Sequence, residues 1–219
     1  MSILEAYPLP DGYIDRRAFA GQVHSGQRAR KRSWLTSTSW KKTTGCTLHQ
    51  TACDMGERIE RYDNTGAHVV VLRSGRWIHL HDLNKNVAHG NGWNAQCWGI
   101  EINGLFAGEV GGHVWNDPST AIREVAMTPT PIQLIRTREI VRWGAGVIAL
   151  NGGEMKVLCA HRQSSEDRPD DPGQEIWRGS ALPVMAELGL TDGGVGFRIG
   201  TGRPIPQSWD PRCRGVRYR

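Results

Sequence analysis

Cys46-Thr47-Leu48-His49-Gln50-Thr51-Ala52 sets an apolar, β-branched run against a polar opening, so it reads as a strand that ends at a histidine. Its partners lie further along the chain. Ala67-His68-Val69-Val70-Val71-Leu72 is a second strand, Ser74-Gly75 a turn, and Arg76-Trp77-Ile78-His79-Leu80 the return arm of a hairpin. Cys97-Trp98-Gly99-Ile100-Glu101-Ile102 and Met155-Lys156-Val157-Leu158-Cys159-Ala160 are two more strands. Between them, Thr130 can cap a helix whose first residue is Pro131. Ile132, Ile135, Ile140, Trp143 and Val147 recur at near-helical spacing as its buried face, and Gly152-Gly153 stop it. Asp54 could cap a further helix running through Ile59 to about Tyr62. Strands interleaved with helices predict a single α/β domain, a central mixed β-sheet flanked by helices.

The chain has 219 residues, enough for one full hydrophobic core. Its composition shifts near both ends. Arg28, Arg30, Lys31 and Arg32 make the start basic, and from Thr191 onward glycine, proline and arginine dominate, with Arg198, Arg203, Arg212, Arg214, Arg217 and Arg219. The expected organisation is a basic N-terminal extension over residues 1–40 packed on the domain, a catalytic domain over 41–190, and a Gly/Pro/Arg-rich tail over 191–219. No apolar run approaches the ~20 residues of a membrane-crossing helix. The opening Met1-Ser2-Ile3-Leu4-Glu5-Ala6 has no secretion-signal pattern, so the expectation is a soluble protein made in the cytoplasm. Five cysteines at irregular spacings, with no C-x-x-C pair, read as reduced thiols, and Cys46, Cys97 and Cys159 as small buried hydrophobes. A net charge of +5 implies attraction to polyanions without choosing among them.

Three segments carry the chemistry. A catalytic zinc takes three protein ligands of nitrogen or oxygen type and leaves a fourth position open, and His49, His161 and Asp171 satisfy that count with one ion. Two of these residues close strands. Glu101 alternates with Ile100 and Ile102, so it faces away from their side of the sheet, where a site could lie. His79 and His81, two apart on one expected strand, form a competing H-x-H pattern but read as surface histidines.

Taken together, these motifs resemble the type 2 N-acetylmuramoyl-L-alanine amidase family, which includes T7-type lysozymes, cell-wall-recycling amidases and peptidoglycan recognition proteins. The resemblance spans about residues 44 to 178 and rests on His49-Gln50-Thr51-Ala52, Gly99-Ile100-Glu101, His161 and Asp171-Pro172-Gly173 in that order. It implies a zinc site at the strand ends held by His49, His161 and Asp171, and hydrolysis of the amide between N-acetylmuramic acid and L-alanine in peptidoglycan. It also makes Val87 to Asn94 a substrate-binding loop, in which His89 and Asn94 hydrogen-bond substrate and Trp93 stacks on it.

The sequence departs from the family at two points. Pro169 replaces the lysine that steadies the oxyanion in relatives, so Arg168 is the substitute candidate, and Ala67 stands where some members carry a catalytic tyrosine. Glu101 is the expected general base and then acid. The expected role is lytic, acting on peptidoglycan after release through a membrane pore. The alternatives are a non-catalytic peptidoglycan binder of the same fold and a cytoplasmic recycling amidase. The basic tail is expected to dock on anionic cell-wall polymer or outer-membrane lipid. Nucleic acid is disfavoured because no reader motif accompanies the arginines.

Overall fold

The computed structural model describes residues 7–21, 35–109 and 126–214. Six strands form one mixed sheet: β1 (Tyr13–Asp15), β2 (Gly45–Gln50), β3 (Val69–Val71), β4 (Trp77–His79), β5 (Cys97–Ile102) and β6 (Val157–Ala160). Their spatial order is β1-β4-β3-β5-β2-β6. β3 and β4 are the antiparallel hairpin, and the other neighbours run parallel. Helix α1 (Pro131–Leu150) makes the long connection from β5 to β6, which lie on either side of β2. A helical turn at Gln174–Ile176 leads through a π-helical turn at Trp177–Ala181 into α2 (Leu182–Leu188). The α/β architecture expected from the strand and helix pattern is the one observed.

β2 is buried along its whole length, as a strand paired on both edges and covered on both faces must be. Cys46, Leu48, Trp98, Ile100 and Ile102 join Ile140, Val141 and Ile148 of α1 in the principal core. By the period-2 alternation of a strand, Thr47, His49, Gly99 and Glu101 face the other way, and this second face carries the site.

The start of α1 is built as its sequence predicts. Thr130 Oγ1 accepts the Gln133 N–H while Gln133 Oε1 accepts the Thr130 N–H, and Pro131 fills the first position. Its buried face is rotated from the expected one, however. Ile132 and Ile135 are 36% and 39% exposed, while Gln133, Thr137, Ile140, Val141, Gly144 and Ile148 face inward. Two local demands explain this. The Gln133 amide donates to the Asn103 carbonyl at the end of β5, which satisfies a buried polar pair. Gly144 also lets the helix lie against Trp98, where a Cβ would come within 2.3 Å of the indole.

Other expectations are corrected. Asp54 caps no helix: a short 3-10 turn occupies Ile59–Tyr62 behind Arg58, and the Asp54 carboxylate instead accepts from the Gly56 N–H and the Asn103 amide. His79 and His81 are both buried and do not converge. His79 packs among Tyr13, Trp77 and Trp143, whereas the His81 ring lies beside His68. His68 accepts from the Gly99 N–H and donates to the Lys85 carbonyl, so it ties β3 to β5 as a neutral ring, held well below the usual histidine pKa by burial. From Asp192 to Arg214 the chain forms no helix or strand, yet Ile205, Trp209 and Cys213 enter the principal core. The basic residues Arg28, Arg30, Lys31, Arg32, Arg217 and Arg219 lie outside the described residues. Among the described residues no helix is long and apolar enough to cross a membrane.

Gly144→Ala tests the helix–sheet approach. Alanine gains up to about 1 kcal/mol of helix propensity, but forcing its methyl against a fully buried indole costs about 1–3 kcal/mol. The expected outcome is a lower urea midpoint at unchanged m-value, and an unchanged midpoint would mean that Trp98 yields freely.

Candidate metal centre and catalytic cleft

Parallel pairing of β2 with β5 sets His49 opposite Glu101, and β2 with β6 sets Leu48 opposite Ala160, so that His161 follows at the same end of the sheet. Asp171 reaches the same point from the loop after β6. Its backbone carbonyl accepts the Arg162 N–H, and its Oδ1 accepts the Gln50 N–H at 2.9 Å. The Gln50 side chain completes the anchoring by donating to the Asp170 and Phe106 carbonyls and accepting the Phe106 N–H. With Oδ1 occupied, Oδ2 faces the two histidines.

His49 Nδ1, His161 Nδ1 and Asp171 Oδ2 form a small triangle, with separations of 3.0 Å between the histidines, 3.0 Å from His161 to Asp171 and 3.9 Å from His49 to Asp171. Donors set tetrahedrally at about 2.0–2.1 Å from one ion stand about 3.3–3.4 Å apart, close to the mean of these edges. All three residues are buried. Two nitrogens and an oxygen from ionisable groups are therefore aimed at one point, and an ion with nitrogen and oxygen ligands fits there.

The protonation of His49 follows from its neighbours. His89 Nε2 lies 2.8 Å from the Cys97 carbonyl, which only accepts, so Nε2 carries the proton and Nδ1 of the same ring is a lone pair. That lone pair lies 3.0 Å from His49 Nε2, which must then donate to it. His49 Nδ1 is left unprotonated and turned toward His161 and Asp171. A ligating histidine whose other nitrogen donates to a fixed acceptor is the usual arrangement around bound metals. Burial, reinforced by the neighbouring His161, holds His49 well below the ordinary histidine pKa, and burial brings His89 to about 4. Both rings are neutral at neutral pH. Gly99 makes room for the relay, because a Cβ there would sit 2.7 Å from His89 Nδ1.

A cleft of about 230 Å³ opens beside the triangle, lined by Glu101, Arg168, His49, Asp171, Thr51 and Gly66 among others. Burial, then the adjacent Asp171, raises the Glu101 carboxyl to about 8, with Arg168 opposing the shift. Glu101 and Arg168, both singled out from the sequence, thus share the cleft with the triangle.

The residues expected to hold substrate make contacts within the chain, and of the three His89 also lines the cleft. Both ring nitrogens of His89 are engaged by Cys97 and His49. Trp93 is buried with Cys97 and Cys159 and packs against Phe197. Asn94 Oδ1 accepts the N–H groups of His89 and Gly90 and closes their loop. Sequence reading overlooked Arg162, a buried guanidinium that donates to the Pro169 and Pro204 carbonyls and stacks over Trp209 at 4.7 Å, bracing the Asp171 turn. A charged residue directly after the second histidine, in a strand-end position, was its one signal.

A family model described as N-acetylmuramoyl-L-alanine amidase matches residues 39–174. Comparison with curated proteins gives no match. Among solved structures, the amidase LysC from Clostridium intestinale URNW is 17% identical, with 77% of this chain and 96% of that chain covered and a TM-score of 0.47. Drosophila peptidoglycan recognition protein LB is 13% identical, with 75% and 89% covered and a TM-score of 0.48. Peptidoglycan recognition protein-LE, in complex with tracheal cytotoxin, is 15% identical, with 81% and 94% covered and a TM-score of 0.47.

The relay gives a direct spectroscopic test. Long-range ¹H–¹⁵N spectra of metal-free protein should show His49 and His89 as Nε2–H tautomers, and an Nδ1–H signal from either ring would break the relay.

Proposed function

The chain belongs to the N-acetylmuramoyl-L-alanine amidase family, and from that premise we propose that it hydrolyses the amide between N-acetylmuramic acid and L-alanine in peptidoglycan, with one zinc ion held by His49, His161 and Asp171. The observation that carries this reading is the convergence of His49 Nδ1, His161 Nδ1 and Asp171 Oδ2, with Glu101 next in register on β5. Bound there, zinc supplies the Lewis acidity that makes water a nucleophile near neutral pH and polarises an unactivated amide carbonyl.

The chain's own residues supply the rest. Glu101 takes the proton of the attacking water and returns it to the leaving nitrogen of L-alanine, without which the amine is too poor a leaving group. A dication held by the triangle would favour the carboxylate that takes the water's proton, while burial favours the acid that returns it. Arg168, in the same cleft, offsets the charge that develops on the carbonyl oxygen, the part played in relatives by a lysine that Pro169 replaces here. His89 is a positioning residue: it fixes the ring and tautomer of His49 from its place in the cleft wall. A lytic role, with the protein reaching peptidoglycan from the cytoplasm, is our reading of its setting; exposed Arg198, Arg212 and Arg214 and the net charge of +5 support attraction to an anionic wall.

Purified protein incubated with peptidoglycan should release new L-alanine amino termini without releasing new reducing sugars. Asp171→Ala should lose both zinc and hydrolysis. Glu101→Gln should keep its zinc and lose about 10²–10⁴-fold in kcat. Zinc-loaded protein that sediments with peptidoglycan and yields no amino termini would mean that it binds the polymer without cutting it.

A further inference from the structure

Asp192, Asp210 and Cys213 form a second cluster, separate from the cleft residues. Each offers a donor atom, and the three donors lie within 4.8 Å of one another. All three side chains are buried, Asp192 being only 5% exposed. Asp192 Oδ1 accepts the Gly194 N–H at 2.9 Å, while Oδ2, fully enclosed, has no hydrogen-bond partner among the described residues. Asp210 accepts from the backbone N–H and guanidinium of Arg212, whose own side chain is 66% exposed. Arg212 thus brings one positive charge from the solvent side to two carboxylates.

A buried carboxylate with an unpaired oxygen, held beside a second carboxylate and a thiol, is a costly arrangement unless a cation completes it. A bound ion would displace the Cys213 thiol proton to solvent and leave a thiolate ligand. We propose that Asp192, Asp210 and Cys213 hold a second divalent ion of zinc type in a structural role, with a water filling the fourth position. The donor set selects the metal: two carboxylate oxygens alone would suit calcium or magnesium, but a thiolate favours a softer ion such as zinc. Asp210 and Cys213 are three residues apart in one turn, closed by the Cys213 N–H to the Asp210 carbonyl, a ligand spacing common in structural zinc sites. Tetrahedral zinc with these ligands needs donors about 3.3–3.7 Å apart, within reach of side-chain adjustment from the observed spread.

The placement explains what such an ion does. Asp192 follows Thr191, which pairs with β6 through the Thr191 N–H to the Lys156 carbonyl and the Leu158 N–H to the Thr191 carbonyl. Asp210 and Cys213 lie at the far end of a segment without helix or strand. An ion bridging them closes that segment into a loop fixed to the sheet edge, replacing the regular hydrogen bonding it lacks and restricting the unfolded chain much as a disulfide does.

Cobalt distinguishes this site from the first, because His49, His161 and Asp171 offer no sulfur. Full-length protein stripped with chelator and titrated with Co²⁺ should bind two equivalents, one of which brings a near-ultraviolet thiolate-to-cobalt absorption. Cys213→Ser should abolish that absorption and leave one equivalent bound, whereas Cys53→Ser, at an exposed thiol, should keep it. Asp192→Asn should weaken the sulfur-containing site at least tenfold. Asp171→Asn should retain the near-ultraviolet absorption while losing the other equivalent, and zinc should raise the melting temperature of that variant. If Cys213→Ser does not fold, Asp192→Asn and the Asp171→Asn melting curve decide the matter. A single equivalent without the absorption, an absorption that survives Cys213→Ser, or no melting shift with zinc in Asp171→Asn would overturn the proposal, whatever the outcome for amide hydrolysis.

Discussion

Parallel pairing of β2 against β5 in one register places His49 beside Glu101 and Thr47 beside Gly99. Side chains alternate across a strand, so a slip of one residue would turn His49 into the principal core and bring Leu48 to the cleft. The register is therefore enforced by the same burial that the site requires. Cys46 and Leu48 on one strand, and Trp98, Ile100 and Ile102 on the other, must all reach the core that α1 covers. At roughly 1.5–3 kcal/mol for each large apolar side chain buried, these residues outweigh any local preference of His49 or Glu101 for water. Hydrophobic patterning on one face holds ionisable groups on the other.

Enclosure then sets the chemistry. His49 and His89 stay neutral because burial disfavours their charged forms, and the Cys97 carbonyl decides which nitrogen of each ring keeps its proton. A main-chain acceptor cannot titrate or rotate away, so the lone pair it creates at His49 Nδ1 is permanent within the fold. Gly99 is part of the same device, since any side chain there would push the His89 ring off the strand. In Trp98-Gly99-Ile100-Glu101, core, relay and cleft are thus served by successive residues of one strand.

How much of this was legible in the sequence depended on how local each cause is. The β2 and β5 strands, the Thr130 cap and the order His49, Glu101, His161, Asp171 are written in short-range pattern, and the structure brings those four side chains together. The inward face of α1 was misread because hydrophobicity favoured Ile132 and Ile135, while the helix orientation is set by Gln133 bonding to Asn103 and by Gly144 against Trp98. The internal contacts of the loop from Val87 to Asn94, two of whose residues line the cleft, were hidden for a similar reason. Trp93 is buried by Phe197, and His89 is taken up by His49, contacts between residues far apart in sequence. His79 and His81 were expected at the surface, but Tyr13, Trp77 and Trp143 enclose the first and His68 lies beside the second, packing that their own spacing does not show.

The segment after Thr191 shows why composition is a poor guide to dispensability. Its glycines and prolines prevent regular structure, yet Pro204 gives its carbonyl to Arg162, and Trp209 stacks under the same guanidinium. Arg162 also donates to the Pro169 carbonyl, and its own N–H reaches the Asp171 carbonyl. One buried cation therefore joins the irregular segment to both sides of the turn that carries Asp171. Burial brings that guanidinium down to about 10, still protonated at neutral pH, and its charge is compensated by carbonyl dipoles and the indole face, with Asp170 nearby. The position of the Asp171 carboxylate consequently depends on residues 204–209 as well as on Gln50 of β2. Loosening residues 204–209 would displace the Asp171 turn before it disturbed the sheet, because neither the strand pairing that holds His49 and Glu101 nor the His89 contact to His49 involves those residues.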